Sequence, residues 1–275
     1  MVLDEYKRAI AEHFDARTDY SRSMSHARLA DRLVRLAAPQ PDERVLDIAT
    51  GTGFVAILAA QLVGERGRVV GVDISAGMLD QAAEAIVASG VGNVDLIQAD
   101  AETLDYSAGS FDLIFCCNAL PYMTDVPAAL RLWHSLLRPG GRLAFNCWAE
   151  HSYASGHLLR AIAARHGILV ALVGQDIGTC ERCRAVLAAA GFVRPEVVAE
   201  PTATFFSADQ LEAIPEMAVK NRLYGITPSD ASRLSDLRDE YITEARSTSV
   251  RKSIDAEVGA YFVLAHKLPA SPLLY

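Results

Sequence analysis

The sequence predicts a doubly wound α/β fold: a mostly parallel sheet of seven strands with helices on both faces. Three observations carry that expectation. From Arg44 onward, short runs of apolar and β-branched residues alternate with alanine-rich segments of helical period. The first run, Arg44–Ile48, passes through the turn Gly51-Thr52-Gly53 directly into a helix. The first three runs each end on or near an acid, Asp47, Asp73 and Asp100, at the strand tips where open parallel sheets bind ligands.

Residues 1–38 read as a helical cap. Leu29, Leu33 and Leu36 share one face, and the pattern stops before Pro39 and Pro41. The expected elements then run strand 44–48, helix 54–63, strand 68–72, helix 76–88 and strand 94–98. Phe111–Cys116 forms the next buried run. Thr124-Asp125 caps a helix that places Val126, Leu130, Trp133 and Leu137 on one face. Pro139-Gly140-Gly141 ends it and turns the chain into strand 142–147.

Regularity fades over residues 148–178, which read as a connection carrying residues of a pocket. Helix 181–190, closed by Gly191, leads to strand 193–198, and strand 257–266 is apolar on both faces, as a well-covered strand is. Between these strands, residues 207–250 carry two helical patterns. The second starts at Thr227-Pro228 and bears Leu234, Leu237, Tyr241 and Ala245 on one stripe. An insertion of that length beside a sheet reads as a substrate lid. The sheet domain itself is then assigned to residues 39–206 and 251–275.

Composition narrows the ligand. A formal net charge of −8 without a long Lys/Arg run discourages a nucleic-acid partner and suits a neutral or cationic small molecule. No secretory pattern is read at MVLDEYKRAIAEHF, and the apolar stretch 161–174 is too short, and too interrupted by Arg165 and His166, to span a bilayer. A cytoplasmic protein is expected, with homodimerisation left open. Of five cysteines, Cys180 and Cys183 form a CxxC without a second pair or histidines at zinc spacing, so they read as small buried residues. No metal site is expected.

The turn at Gly51 and Gly53 fits a dinucleotide fingerprint, and Asp73 stands about 20 residues beyond it, where an acid takes a ribose diol. Asp73 would serve any nucleoside cofactor equally. Asp47 discriminates: a fixed negative charge before the turn opposes a pyrophosphate and favours an ammonium. Asp100 would accept from an exocyclic amine at an adenine rim, and the N–H of Ala101 would donate to a ring nitrogen.

In order, 47-DIATGTG-53, Asp73, 100-DA-101, 111-FDLI-114 and 137-LRPGGRL-143 resemble the successive motifs of class I S-adenosylmethionine-dependent methyltransferases, in the branch of quinone-biosynthesis and polyketide-tailoring enzymes. The resemblance is good over about residues 12–148. It implies a Rossmann-like domain, S-adenosylmethionine as cofactor with S-adenosylhomocysteine as product, and a small organic acceptor methylated on oxygen, nitrogen or carbon. A cyclase or other non-methylating protein that keeps the cofactor is the alternative, and an NAD-dependent oxidoreductase a more distant one.

By the resemblance, Asp47, Ala49, Thr50, Gly51, Gly53, Asp73, Ile74, Met78, Asp100, Ala101 and Asn118 surround the cofactor, with Tyr20 reaching its carboxylate end. Tyr122 and His151 face the acceptor, and His151 is the first choice for a general base because imidazole titrates near neutrality. His26 and His134 read as structural. Ala49 departs from the family pattern, which has glycine there; an alanine fits if its φ is negative.

Overall fold

A computed structural model describes residues 3–18, 24–150, 154–169, 176–201, 233, 236–247 and 259–270. Seven strands form one sheet in the order β3-β2-β1-β4-β5-β7-β6. They are β1 (Arg44–Ile48), β2 (Arg68–Asp73), β3 (Val94–Gln98), β4 (Phe111–Cys117), β5 (Leu137–Trp148), β6 (Val193–Glu200) and β7 (Ala260–His266). Strands β1 to β5 pair in parallel, and β7 runs antiparallel between β5 and β6. The strand order reverses between β1 and β4, which opens a crevice there.

Alternation along the strands builds two cores. Leu46, Ile48, Ile114, Leu143 and Phe145 face the side covered by α5 (Val126–Leu136) and α7 (Cys180–Ala189). Val45, Leu113, Phe115, Ala144 and Phe262 face the side covered by α2 (Met24–Ala37) and α3 (Phe54–Val63). Helix α4 (Ala76–Ser89) covers β2 and β3, and α1 (Glu5–Asp15) packs against α4. Burial of β1, β4 and β5 on both faces matches their unbroken apolar runs.

The expected boundaries shift in three places. Strand β5 begins at Leu137, so Pro139-Gly140-Gly141 lies inside it; Leu137 pairs with Phe111, and the register shifts before Leu113 meets Arg142. A bulge absorbs the proline and glycines that read as a turn. The 148–178 connection contains α6 (Ala154–Arg165), whose Leu159, Ile162 and Ala163 are fully buried. Of the 207–250 insertion, the structure describes chiefly α8 (Arg238–Ser247), which packs on α6 with Leu237 and Tyr241 buried. Thr227, Pro228 and Leu234 lie outside the described residues.

Helix α2 has a defined direction. Its last carbonyl, at Ala37, accepts from Arg142 Nε at 2.7 Å, and Ala38 O accepts from Arg142 Nη2 at 2.9 Å. The same guanidinium pairs with Glu43 at the entrance of β1. The helix therefore ends at the lower edge of the sheet and begins, about 20 Å away, over the carboxyl ends of β4 and β5.

Candidate active site

The crevice between β1 and β4 opens into a cleft of about 1240 Å³, counting the open space at its mouth. Its floor is the turn after β1. Thr50 donates from Oγ1 to Asp47 Oδ2 at 2.6 Å, and Gly71 leaves room for that contact, since a Cβ there would stand 2.9 Å from Thr50 Oγ1. Asp47 is 1% exposed, and burial pushes its carboxyl up to about 7, with the Thr50 bond opposing and Asp73 adding to the rise. Such an acid is poised to lose its proton when a cation arrives.

Asp73, at the tip of β2, accepts from Gly51 N–H on Oδ2 and from Ser75 N–H on Oδ1, both at 2.9 Å. Burial raises its carboxyl and these backbone donors oppose the rise. A carboxylate has about four acceptor positions, and after the backbone donors of Gly51, Ser75 and Ile74 it keeps capacity for a ligand hydroxyl. A ribose diol can use such a buried acceptor.

The third acid is more engaged than its spacing suggests. Lys7, from α1, places Nζ 2.6 Å from Asp100 Oδ2 and 2.8 Å from Glu102 Oε2, with all three side chains nearly buried. Glu102 also accepts from Thr124 N, Thr124 Oγ1 and Asp125 N, at the start of α5. Burial alone would raise the Glu102 carboxyl, but the Lys7 ammonium and these donors hold it below its usual value. Trp133 Nε1 donates to Ala101 O at 2.9 Å and fixes the backbone between the two acids.

Ile74, Met78, Ala101, Asn118 and Tyr122 also line the cleft, with Ala49, Thr50 and Gly51. Gly53 stands just outside it as the N-cap of α3, at φ 82°. Tyr20 and His151 lie outside the described residues. Two non-glycine residues lining the cleft are left-handed: Asn118 at φ 56°, and Ala49 at φ 49°. The negative φ expected for Ala49 is thus corrected. The turn imposes the glycine conformation on alanine, at a strain of about 1–2 kcal/mol. Asn118 is suited to its conformation and is held by Asn146, whose Oδ1 accepts from Asn118 N at 3.1 Å and whose Nδ2 donates to Asn118 Oδ1 at 2.5 Å.

Sequence reasoning gave the helical cap a cofactor role through Tyr20 alone and missed the residues of its two helices that line the cleft. Lys7, Ile10, Phe14 and Arg17 from the α1 region, and His26 and Ala30 from α2, line the cleft together with Trp148. The leucine spacing of α2 announced a packed face and concealed that His26 and Ala30, one turn apart on that same face, reach the cleft. The Phe14 ring meets Tyr122 edge-on at 5.8 Å, and the Arg17 guanidinium lies 5.9 Å from the Phe14 centroid. Burial, followed by the nearby Arg17, lowers the His26 imidazole below its ordinary value, so it is neutral at pH 7. Thr52 Oγ1, in the turn, is buried with no hydrogen-bond partner, as befits a group awaiting a polar ligand.

The family model for a methyltransferase domain matches residues 45–141, the stretch from β1 to the middle of β5. The chain is 36% identical over 148 residues to aklanonic acid methyltransferase DauC of Streptomyces sp. (strain C5), covering 53% of this chain and 67% of that protein. It is 36% identical over 187 residues to the ubiquinone/menaquinone biosynthesis C-methyltransferase UbiE of Shewanella frigidimarina, covering 66% of this chain and 73% of that one. The chain belongs to the class I S-adenosylmethionine-dependent methyltransferases. Other UbiE relatives are matched over little more than half their length, 55% for that of Teredinibacter turnerae.

A methyltransferase fold is also seen in solved structures. That of a Haemonchus contortus phosphoethanolamine N-methyltransferase 2, in complex with phosphomonomethylethanolamine and S-adenosylhomocysteine, superposes with a TM-score of 0.58 at 16% identity, over 98% of this chain and 61% of that one. The cofactor of this methyltransferase family is S-adenosylmethionine, and the residues of the cleft fit it: an orphaned buried hydroxyl at Thr52, a buried acceptor at Asp73 and no basic side chain in the glycine turn. Among the described residues no helix is long and apolar enough to cross a membrane, and no group of His, Cys, Asp and Glu could hold a metal ion.

Proposed function

We propose that this methyltransferase alkylates an oxygen, nitrogen or carbon atom of a small natural-product or quinone-like acceptor in the cytoplasm, with residues 207–250 serving as the substrate lid. The buried Asp47 carboxyl beneath the glycine turn carries this reading, because it suits an amino acid ammonium and opposes a pyrophosphate. S-adenosylmethionine, when bound, supplies a sulfonium methyl group, and holding the acceptor in line with it accounts for most of the acceleration.

Asp47 and the Thr52 hydroxyl take the amino acid end, Asp73 takes the ribose diol, and Ile74 and Met78 wall the adenine. Asp100, neutralised by Lys7, retains lone pairs for the adenine amine. Phe14, Tyr122 and Trp148 supply the apolar wall of the acceptor end, where relatives named for aklanonic acid and quinone precursors suggest a planar substrate. His26 is the base we assign for an acceptor that arrives protonated, since α2 begins over β4 and β5 and presents this neutral imidazole to the cleft.

Calorimetric titration tests the cofactor half. S-adenosylmethionine should bind and NAD should not, and Asp73→Ala should weaken binding about ten- to a hundredfold, from the loss of charge-assisted hydrogen bonds worth about 1.5–3 kcal/mol. Undiminished affinity in that variant would place the ribose elsewhere. Screening acceptors with methyl-labelled cofactor tests the other half: S-adenosylhomocysteine must appear with product, and a cyclase would release none. With the acceptor so found, His26→Gln should lower kcat about 10²- to 10⁴-fold while leaving cofactor affinity intact. In the wild type the acid limb of the rate profile should fall below pH 6.5, the ordinary histidine value.

A further inference from the structure

The CxxC at the start of α7 gains a third thiol in the fold. Cys180 is the first residue of α7, capped by Thr179, and Cys183 lies one turn on. Cys183 Sγ stands 3.8 Å from Cys147 Sγ on β5, both side chains essentially unexposed, whereas Cys180 is half-buried. Cys180 lies near enough to Cys147 and Tyr261 for its charge to raise both their pKa values. The Cys147 thiol and the backbone of Gly178 hold Cys183 below the ordinary thiol range. A close thiol pair therefore stands where α7 crosses the ends of β5 and β7, with Cys180 one helical turn before it, away from the cofactor cleft.

Their position bears on the cleft nonetheless. Residues alternate along β5, so Cys147 faces α7 while its neighbours Asn146 and Trp148 face the other side of the sheet. Asn146 fixes the left-handed Asn118, and Trp148 lines the cleft. Glu150 N–H donates to Gly178 O at 2.8 Å, a second tie between the end of β5 and the approach to α7.

We propose that Cys147, Cys180 and Cys183 form a peroxide-oxidisable thiol site whose end state is a Cys147–Cys183 disulfide coupled to the cofactor cleft. Hydrogen peroxide reaches the half-buried Cys180 first. Its thiolate sulfur attacks one peroxide oxygen, the O–O bond breaks, and the hydroxide that leaves is protonated to water, giving a sulfenic acid. The Cys183 sulfur displaces the sulfenic hydroxyl, which departs as a second water with the Cys183 proton, and a Cys180–Cys183 bond forms. The Cys147 sulfur then attacks Cys183 and expels Cys180, the Cys147 proton passing to the departing Cys180 sulfur. The net change is two thiols oxidised by two electrons to one disulfide, and one peroxide reduced to two waters.

The full chain, treated with hydrogen peroxide, alkylated under denaturing conditions and digested without reductant, gives the test by mass spectrometry. A Cys147–Cys183 crosslink that dithiothreitol reverses is expected, with Cys116, Cys117 and Cys180 alkylated. Overoxidation of Cys180 with Cys147 and Cys183 both alkylated would overturn the site. In Cys180→Ser the crosslink should form about tenfold more slowly, and an unchanged rate would overturn the relay. Calorimetry of the oxidised and reduced protein with S-adenosylmethionine reads the coupling. An affinity ratio of about fivefold or more is expected, and equal affinities would overturn it. The crosslink stands without the methyl-transfer reading, so its failure and that of cofactor binding are separable.

Discussion

Ala49 holds a conformation that glycine would take without strain. Relief of about 1–2 kcal/mol in the folded state, less about 0.4–1 kcal/mol for the freer unfolded chain, leaves Ala49→Gly about 0.5–1 kcal/mol more stable, a rise of roughly 1–3 °C in Tm by scanning calorimetry. Asp47 carries a second consequence. Its folded carboxyl is raised from 3.8 to about 7, so the stability this group contributes to the ligand-free protein is present below about 4 and lost as the pH rises through 7. A bound ammonium favours the charged form. Affinity for S-adenosylmethionine should therefore increase as pH climbs toward 7, and fall above about 8 as the ligand's amino group deprotonates. Titration in buffers of differing ionisation enthalpy should reveal proton release near pH 6.5, and a pH-independent affinity would contradict the assignment.

Helix α1 is held across the cofactor end of the cleft at two points. Lys7 enters the nearly buried pair of Asp100 and Glu102, and Asp15 Oδ1 accepts from Ser75 Oγ and Gly77 N–H at the start of α4. Lys7→Met strands two acids, so a loss of about 3 kcal/mol is expected in chemical denaturation. The deficit should shrink at acid pH, because the depressed Glu102 carboxyl contributes stability above its unfolded value of 4.5 that is lost as the pH falls. None of this was legible in the sequence. The strand tips were readable because each strand carries its own apolar run and closing acid, whereas Lys7 and Asp100 are brought together by chain folding across |i−j| = 93. His26 was hidden for the same reason, at the start of an apolar stripe that advertised packing alone.

At the scale of the whole molecule, the seven strands, both helical layers, the family and its sulfonium cofactor were legible from the alternation of patterns and five ordered motifs. The bulge in β5 and helix α6 were not, because proline and glycine read as a terminus and the α6 segment has a weak amphipathic pattern. Cofactor at 100 times its Kd should stabilise the fold by about 2.7 kcal/mol, raising Tm by roughly 5–10 °C. Amide exchange should slow most in α1 and the tips of β1 to β3, which surround the cleft.

Strand β7 has a consequence for biosynthesis. Within the sheet β6 pairs with β7, which follows it in the chain after the long insertion. On the ribosome β6 must therefore wait, with the apolar flank of β5 uncovered, until β7 emerges and slides between them. A stop codon in the insertion would leave two naked edges, and such a fragment should be recovered in inclusion bodies.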